Sequence, residues 1–368
     1  MAIFSGITPL PPDPILGLTE EYNRDPRTGK VTLASGVYVD ERGITPVLPS
    51  VAEAERRILA AQTTKLYKPI AGDPAYLRAV RELVFGGHPA IAEGRIESLH
   101  TPGGTGALRV AADLIHRVRP GATVWVSTPT WPNHPQVFAA AGLTTASYPY
   151  LDPSTGELDA DGMLGALAGA APGDVVLLHA CCHNPTGIDP DAATWQRIAD
   201  VVAERRLLPL VDFAYQGFGD GLREDAVGLE ALLRPGAELL VASSFSKNFA
   251  LYDERVGALS LVCATKEEAS ALLSHAKAAV RANYSNPPAH GGEVVATILA
   301  DAGSMRHALA DLYAESDTFG PTLVVLDDID LVLGHRDASG DNAALADFLA
   351  TLDGVRQRDD VQIGRAHV

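Results

Sequence analysis

Short apolar runs punctuate the middle of the chain: Thr123–Ser127, Val175–His179, Leu207–Asp212 and Leu239–Ala242. Each is too short for a core helix and too apolar for a surface strand, so each predicts a strand buried on both faces. Between them lie stretches of helical period. Val51–Ala61 and Ala193–Arg205 read as helices, as does the stretch carrying Leu108, Ala111, Ala112, Leu114, Ile115 and Val118. Strands alternating with helices predict an α/β domain with a largely parallel sheet. Polar residues gather where the strands end, the place where such folds bind ligands. Upstream, Phe4–Lys30 is rich in Pro, Asp and Gly and predicts an extended arm with a short helix near Leu16–Asn23.

Composition narrows this only slightly. The chain has 368 residues, enough for two domains, with 46% hydrophobic and 20% charged residues, as in an ordinary globular protein. A net charge of −17 argues against nucleic acid and anionic membranes as partners. No window approaches a membrane span of ~18 apolar residues, and the N-terminus lacks the layout of a signal peptide. Cys181, Cys182 and Cys263 form neither a disulfide framework nor a metal spacing, so no metal is expected and a reducing cytoplasm is the expected location.

The chemistry sits at the strand ends. Past Leu239–Ala242 comes Ser243-Ser244-Phe245-Ser246-Lys247-Asn248, with Arg255 eight residues beyond Lys247, one of only six lysines. Alone, Lys247 reads as a surface residue. Desolvated, it is a nucleophile for carbonyls, and Ser244, Ser246 and Arg255 suit a phosphate dianion. Thr101-Pro102-Gly103-Gly104-Thr105-Gly106 leads into a helix, where Thr105 would cap and the free amides would favour an anion, although any tight turn into a helix can carry such glycines. Asp212 closes a strand and, if buried, needs a cationic partner; Tyr215 follows it. Trp131 reads as a stacking surface or as core, and Asn184-Pro185-Thr186-Gly187 as a hydrogen-bonding amide or a turn.

Taken in order, Ser244–Phe249 with Tyr252–Gly257 resembles the cofactor-lysine motif of the class I aminotransferases, nearest to the aspartate and aromatic branch. The likeness runs from about Phe4 to about Gly303. It implies pyridoxal phosphate (PLP) as cofactor and a large domain with a mostly parallel seven-stranded sheet. Lys247 is then the Schiff-base lysine and the acid/base of the reaction. Gly104, Thr105, Ser244, Ser246 and Arg255 hold the cofactor phosphate, Trp131 stacks on the ring, and Asp212 pairs with the ring nitrogen, supported by His134. Asn184 and Tyr215 bond the phenolate oxygen, and Gly36 lies beside the substrate, which Trp131 and Asn184 also contact. Tyr67 and Arg281 serve the neighbouring subunit of a homodimer, Tyr67 at the phosphate and Arg281 at a dicarboxylate's side chain. The implied reaction moves an amino group between an acidic or aromatic amino acid and a 2-oxo acid. The alternatives are a PLP lyase or decarboxylase, or an inactive hybrid.

The implied organisation is residues 1–45 as arm and start of a small domain, 46–303 as the PLP domain, and 304–368 as a segment outside the family. From Ser304 to Val361 there are twelve acidic residues against four Arg, and no counterpart of the arginine that grips the substrate's α-carboxylate in that family. The small domain is therefore expected to be incomplete and turnover poor. Pro321–Asp330 resembles the Walker B strand of AAA-type ATPases, and Ala344–Val355 the following helix, although the chain contains no phosphate loop. Ile363–Val368 resembles translated sequencing adapter, so an artificial join near Gly303/Ser304 is expected.

Overall fold

The computed structural model describes residues 2–9, 16–30, 36–40 and 43–301. The Walker-B-like strand, its helix, the adapter-like end and every arginine after Gly303 lie outside the described residues.

The elements run α1 (Leu16–Arg24), α2 (Pro49–Ala61), α3 (Pro74–Phe85), α4 (Pro89–Ala92), β1 (Ile96–Pro102), α5 (Gly103–Val118), β2 (Thr123–Thr128), α6 (Asn133–Ala140) and β3 (Thr144–Pro149). They continue with α7 (Ala160–Ala168), β4 (Val175–His179), α8 (Ala192–Arg205), β5 (Leu208–Phe213), α9 (Val227–Leu232), β6 (Leu239–Ser244), β7 (Val256–Val262), α10 (Lys266–Asn283) and α11 (His290–Ala300). The seven strands form one sheet in the order β1-β7-β6-β5-β4-β2-β3. Strands β3, β2, β4, β5 and β6 are parallel, and β7 runs antiparallel to both β6 and β1. The mostly parallel seven-stranded sheet is thus present.

Neighbouring residues of one strand face opposite cores. Val176 and Leu178 of β4 pack with α7, α8 and α9, whereas Val175 and Leu177 pack with α5 and α6. Every residue of β4, β6 and β7 is buried, as two covered faces require. Truncating such a residue, Leu240→Ala for example, is expected to cost about 2–5 kcal/mol.

The ends of the sheet converge. Register places His179 beside Asp212, Phe213 beside Ser243, and Ser244 beside Gly257, which also pairs with Thr101. The carboxyl ends of β1, β4, β5 and β6 therefore meet the start of β7 at one edge.

Candidate active site

Strand β6 delivers its last serine to this edge and then turns. Phe245 and Phe249 anchor the turn; both are buried, with ring centroids 5.6 Å apart and edge to face. Lys247 lies between these anchors, half-buried, with Nζ 4.9 Å from the centroid of the Tyr215 ring. That distance is within cation–π range. Tyr215 comes from the exit of β5, three residues after Asp212.

A cradle for an anion stands beside Lys247. Helix α5 begins at Gly103 with no side-chain cap, so its first amides face outward without an internal partner. Gly103 has φ +71°, and a Cβ there would lie 2.6 Å from Arg255 Nη2. A Cβ on Gly104 would lie 3.0 Å from Ser244 Cβ. The glycines thus let the helix start close against Ser244 and Arg255. Arg255 donates to Ser246 Oγ at 3.3 Å and to the Tyr252 carbonyl at 2.9 Å. Thr105 does not cap the helix as expected. The helix starts two residues earlier, so Thr105 is its third residue. Uncapped amides, two hydroxyls and a guanidinium at one helix start fit a phosphate.

Asp212 occupies the other side. Its carboxylate is 13% exposed and accepts a hydrogen bond from His134 Nε2 at 3.0 Å. A carboxylate can only accept, so His134 Nε2 carries the proton and Nδ1 accepts from the Thr130 hydroxyl at 2.8 Å. Thr130 Oγ1 lies 3.4 Å from His179 Nε2, and His179 Nδ1 accepts from the backbone N–H of Asn184 at 3.3 Å. Burial alone would push the Asp212 carboxyl up. The His134 hydrogen bond and the fields of His134, His179 and Lys247 outweigh it and hold the carboxyl below its usual range. Burial, helped by His134, drives His179 down to about 3, so its imidazole is neutral at neutral pH. The result is an ionised acid held at the end of a hydrogen-bonded series through His134, Thr130 and His179, with the charge and position to hold a protonated ring nitrogen.

The remaining expected residues fall into two groups. Trp131 is half-buried with its ring edge-on to His134 at 5.2 Å, and Asn184 sits at the exit of β4. Asn184 Oδ1 is buried without a partner among the described residues. Gly36 is half-buried, two residues before Tyr38, whose N–H donates to the Tyr252 hydroxyl at 3.3 Å. Tyr67 and Arg281 differ: Tyr67 is 91% exposed, and Arg281 is exposed in the last turn of α10, donating to Ser285. Thr130 and His179 were not singled out from sequence. Their signal was present, as polar residues at the exits of two neighbouring apolar strands.

The sequence matches the family described as "Aminotransferase class I and II" over residues 28–319, past Gly303, where the motifs end. The chain belongs to that family. It is 53% identical over 300 residues to an aspartate aminotransferase of Escherichia coli (strain K12), covering 81% of this chain and 76% of that protein. It is 49% identical over 302 residues to an aromatic-amino-acid aminotransferase of Pseudomonas aeruginosa, covering 82% and 75%. In three dimensions it matches the aromatic-amino-acid aminotransferase from Burkholderia pseudomallei, a structure with pyridoxal phosphate covalently bound. That match has a TM-score of 0.83 and 44% identity, covering 86% of this chain and 80% of that one. This aminotransferase is PLP-dependent and transfers an amino group between an amino acid and a 2-oxo acid.

Proposed function

We propose that the substrates are acidic or aromatic L-amino acids and that the residues grouped above do the work. The observation that carries the substrate reading is the near-equal likeness to aspartate and aromatic aminotransferases, at 53% and 49% identity. These relatives are aminotransferases, which leaves a lyase or decarboxylase reading without support.

Ser244, Ser246, Arg255 and the start of α5 at Gly104 and Thr105 would hold the cofactor phosphate. Trp131 would cover the ring, Asp212 would keep the ring nitrogen protonated, and Asn184 and Tyr215 would hold the phenolate oxygen. Bound PLP supplies an electron sink for the pair left when the substrate's α-proton departs. Lys247 Nζ would hold the cofactor and would be the base that takes the proton from the substrate's α-carbon. Its place 4.9 Å from the Tyr215 ring keeps that amine at the site. Gly36 lets the substrate approach the backbone closely.

A homodimer completes the site in this reading. The partner subunit's Tyr67 would reach the phosphate, and the partner subunit's Arg281 would grip a side-chain carboxylate with its planar fork. The exposure of both supports this, as do Val47, Leu59 and Leu66, all exposed on the same part of the chain as Tyr67. The cytoplasm fits three free cysteines. The division into 1–45, 46–303 and 304–368 belongs to the same reading, although the family match runs past its second boundary to residue 319.

The test is a set of half-reactions with aspartate, glutamate, tyrosine and phenylalanine, followed by absorbance and by the oxo acid formed. Conversion of at least one acidic or aromatic substrate is expected. Conversion only of small aliphatic amino acids would overturn the substrate reading.

A further inference from the structure

Lys247 and Tyr215 come from the exits of different strands, so their facing geometry requires that two separate loops be held together. One buried side-chain hydrogen bond joins those loops next to both residues. Asn248, adjacent to Lys247, donates from Nδ2 to the backbone carbonyl of Gln216, adjacent to Tyr215, at 3.2 Å. Asn248 is 1% exposed and Gln216 3%.

The Gln216 end of this link is itself anchored. Gln216 Nε2 donates to the carbonyls of Leu83 and Leu222 at 3.2 and 3.1 Å, which ties the loop to α3. Just beyond, the buried Asp225 carboxylate accepts the N–H groups of Gly217, Gly219 and Asp220 at 2.7–3.0 Å. The Phe218 N–H closes a turn onto the Tyr215 carbonyl at 3.0 Å. The loop that carries Tyr215 is therefore rigid, and Asn248 fastens the lysine turn to it. The Asn248 amide is kept for this donor: its Oδ1 is buried with no partner among the described residues, a cost that an apolar residue of the same size would avoid.

We propose that Asn248 is a positioning residue that fixes Lys247 against Tyr215 and thereby sets the ionisation of the Lys247–cofactor linkage. This rests on the roles given above to Lys247 and Tyr215, the phenol's hydrogen bond to the phenolate oxygen favouring the deprotonated linkage. Removing the donor lets the lysine turn drift from the phenol, and the linkage then keeps its proton to higher pH.

The experiment titrates the near-ultraviolet absorbance of the holoenzyme against pH for wild type, Asn248→Leu, Asn248→Ala, Tyr215→Phe and the Asn248→Leu/Tyr215→Phe double variant. Leucine matches asparagine in size and carries no charge, and circular dichroism checks that each chain is folded. In parallel, the pH dependence of reductive methylation at Lys247 is read by peptide mass spectrometry in the cofactor-free chain. The expected result is a midpoint raised by Tyr215→Phe and raised by Asn248→Leu by about half a pH unit or more. No further rise is expected when both changes are combined, since Asn248 acts through Tyr215. Lys247 in the cofactor-free chain is expected to be methylated faster at each pH in Asn248→Leu, because the released turn is more accessible. An unchanged midpoint in folded Asn248→Leu and Asn248→Ala would overturn the proposal, as would a full additional shift in the Tyr215→Phe background. Failure of the underlying reading looks different: wild type would show no pH-dependent absorbance that Lys247→Ala abolishes.

Discussion

The two ends of the candidate site are built differently. At the Asp212 end, one chain supplies everything: Asp212, His134, Thr130 and His179 are linked in series, and His134 is fully buried. At the anion end, Arg255 is exposed, and the residue assigned to help it, Tyr67, is 91% exposed. Burying an ionised carboxylate without donors would cost several kcal/mol, so its partners must be in place when the chain folds. A phosphate brings its own charge and can wait for exposed donors to gather. The first end is preorganised by folding, whereas in the proposed reading the second would be completed by ligand and by assembly.

Lys247→Ala should have the largest effect, because it removes both the attachment point and the proton carrier. Turnover should fall by roughly 10⁴-fold, the upper range for a general acid–base group. Borohydride reduction followed by peptide mapping checks the assignment; a folded wild-type chain labelled at another lysine would refute it. Asp212→Asn probes the preorganised end next. It keeps the shape and removes the charge, and loss of a charge-assisted hydrogen bond worth about 1.5–3 kcal/mol predicts roughly a 10- to 100-fold fall. Steady-state rates with saturating cofactor would show it. A wild-type rate in Asp212→Asn would mean that the buried acid does not face the ring nitrogen.

The same contrast explains what could be read from the sequence. Asp212 stood out because it closes an apolar run that reads as a buried strand, where a charge needs a partner, whereas Lys247, a surface residue if read alone, stood out only with Ser244, Ser246 and Arg255 around it. The Thr130–His179 step was not legible, since it joins residues 49 positions apart through strand order. The antiparallel run of β7 was equally hidden, because a fully buried strand of seven residues shows no direction in its pattern. Thr105 misled for a local reason: a Thr before an apolar helix resembles a cap, yet Gly103 at φ +71° starts the helix earlier. Asn248 lay inside the quoted motif, but its partner is a backbone carbonyl 32 residues away.

The assembled end is tested by mixing. A Lys247→Ala chain and an Arg281→Ala chain, each poorly active with aspartate, should regain activity after subunit exchange. A mixed two-fold dimer places both changes in one site and leaves the other intact, so about a quarter of all sites should recover. Exchange shown by mass spectrometry without recovered activity would count against shared sites.

The smallest effect concerns a histidine outside both ends. His100 is 1% exposed, its ring lies 4.4 Å from the Tyr76 ring, and its Nε2 has no partner among the described residues. A Cβ built on Gly292 would lie 2.5 Å from its Cε1 and one on Gly72 2.5 Å from its Cβ, so the two glycines leave just enough room for the side chain. Burial lowers its pKa to about 4, against a small opposing pull from Asp73. The sign follows from which state binds the proton. Above about pH 6.5 the imidazole is neutral in both states and contributes no pH dependence. Between 6.5 and about 4 the unfolded chain takes up the proton and the folded chain does not, so stability falls as pH falls. Below that window both states are charged and the loss levels off. Each such group adds a slope of at most about 1.4 kcal/mol per pH unit. His179 spans the same window with its pKa near 3, so His100→Leu should reduce the slope by about one proton without abolishing it. Urea unfolding at a series of pH values between 5 and 6.5 measures this. An unchanged slope in His100→Leu would mean that His100 finds a partner for its proton in the folded chain.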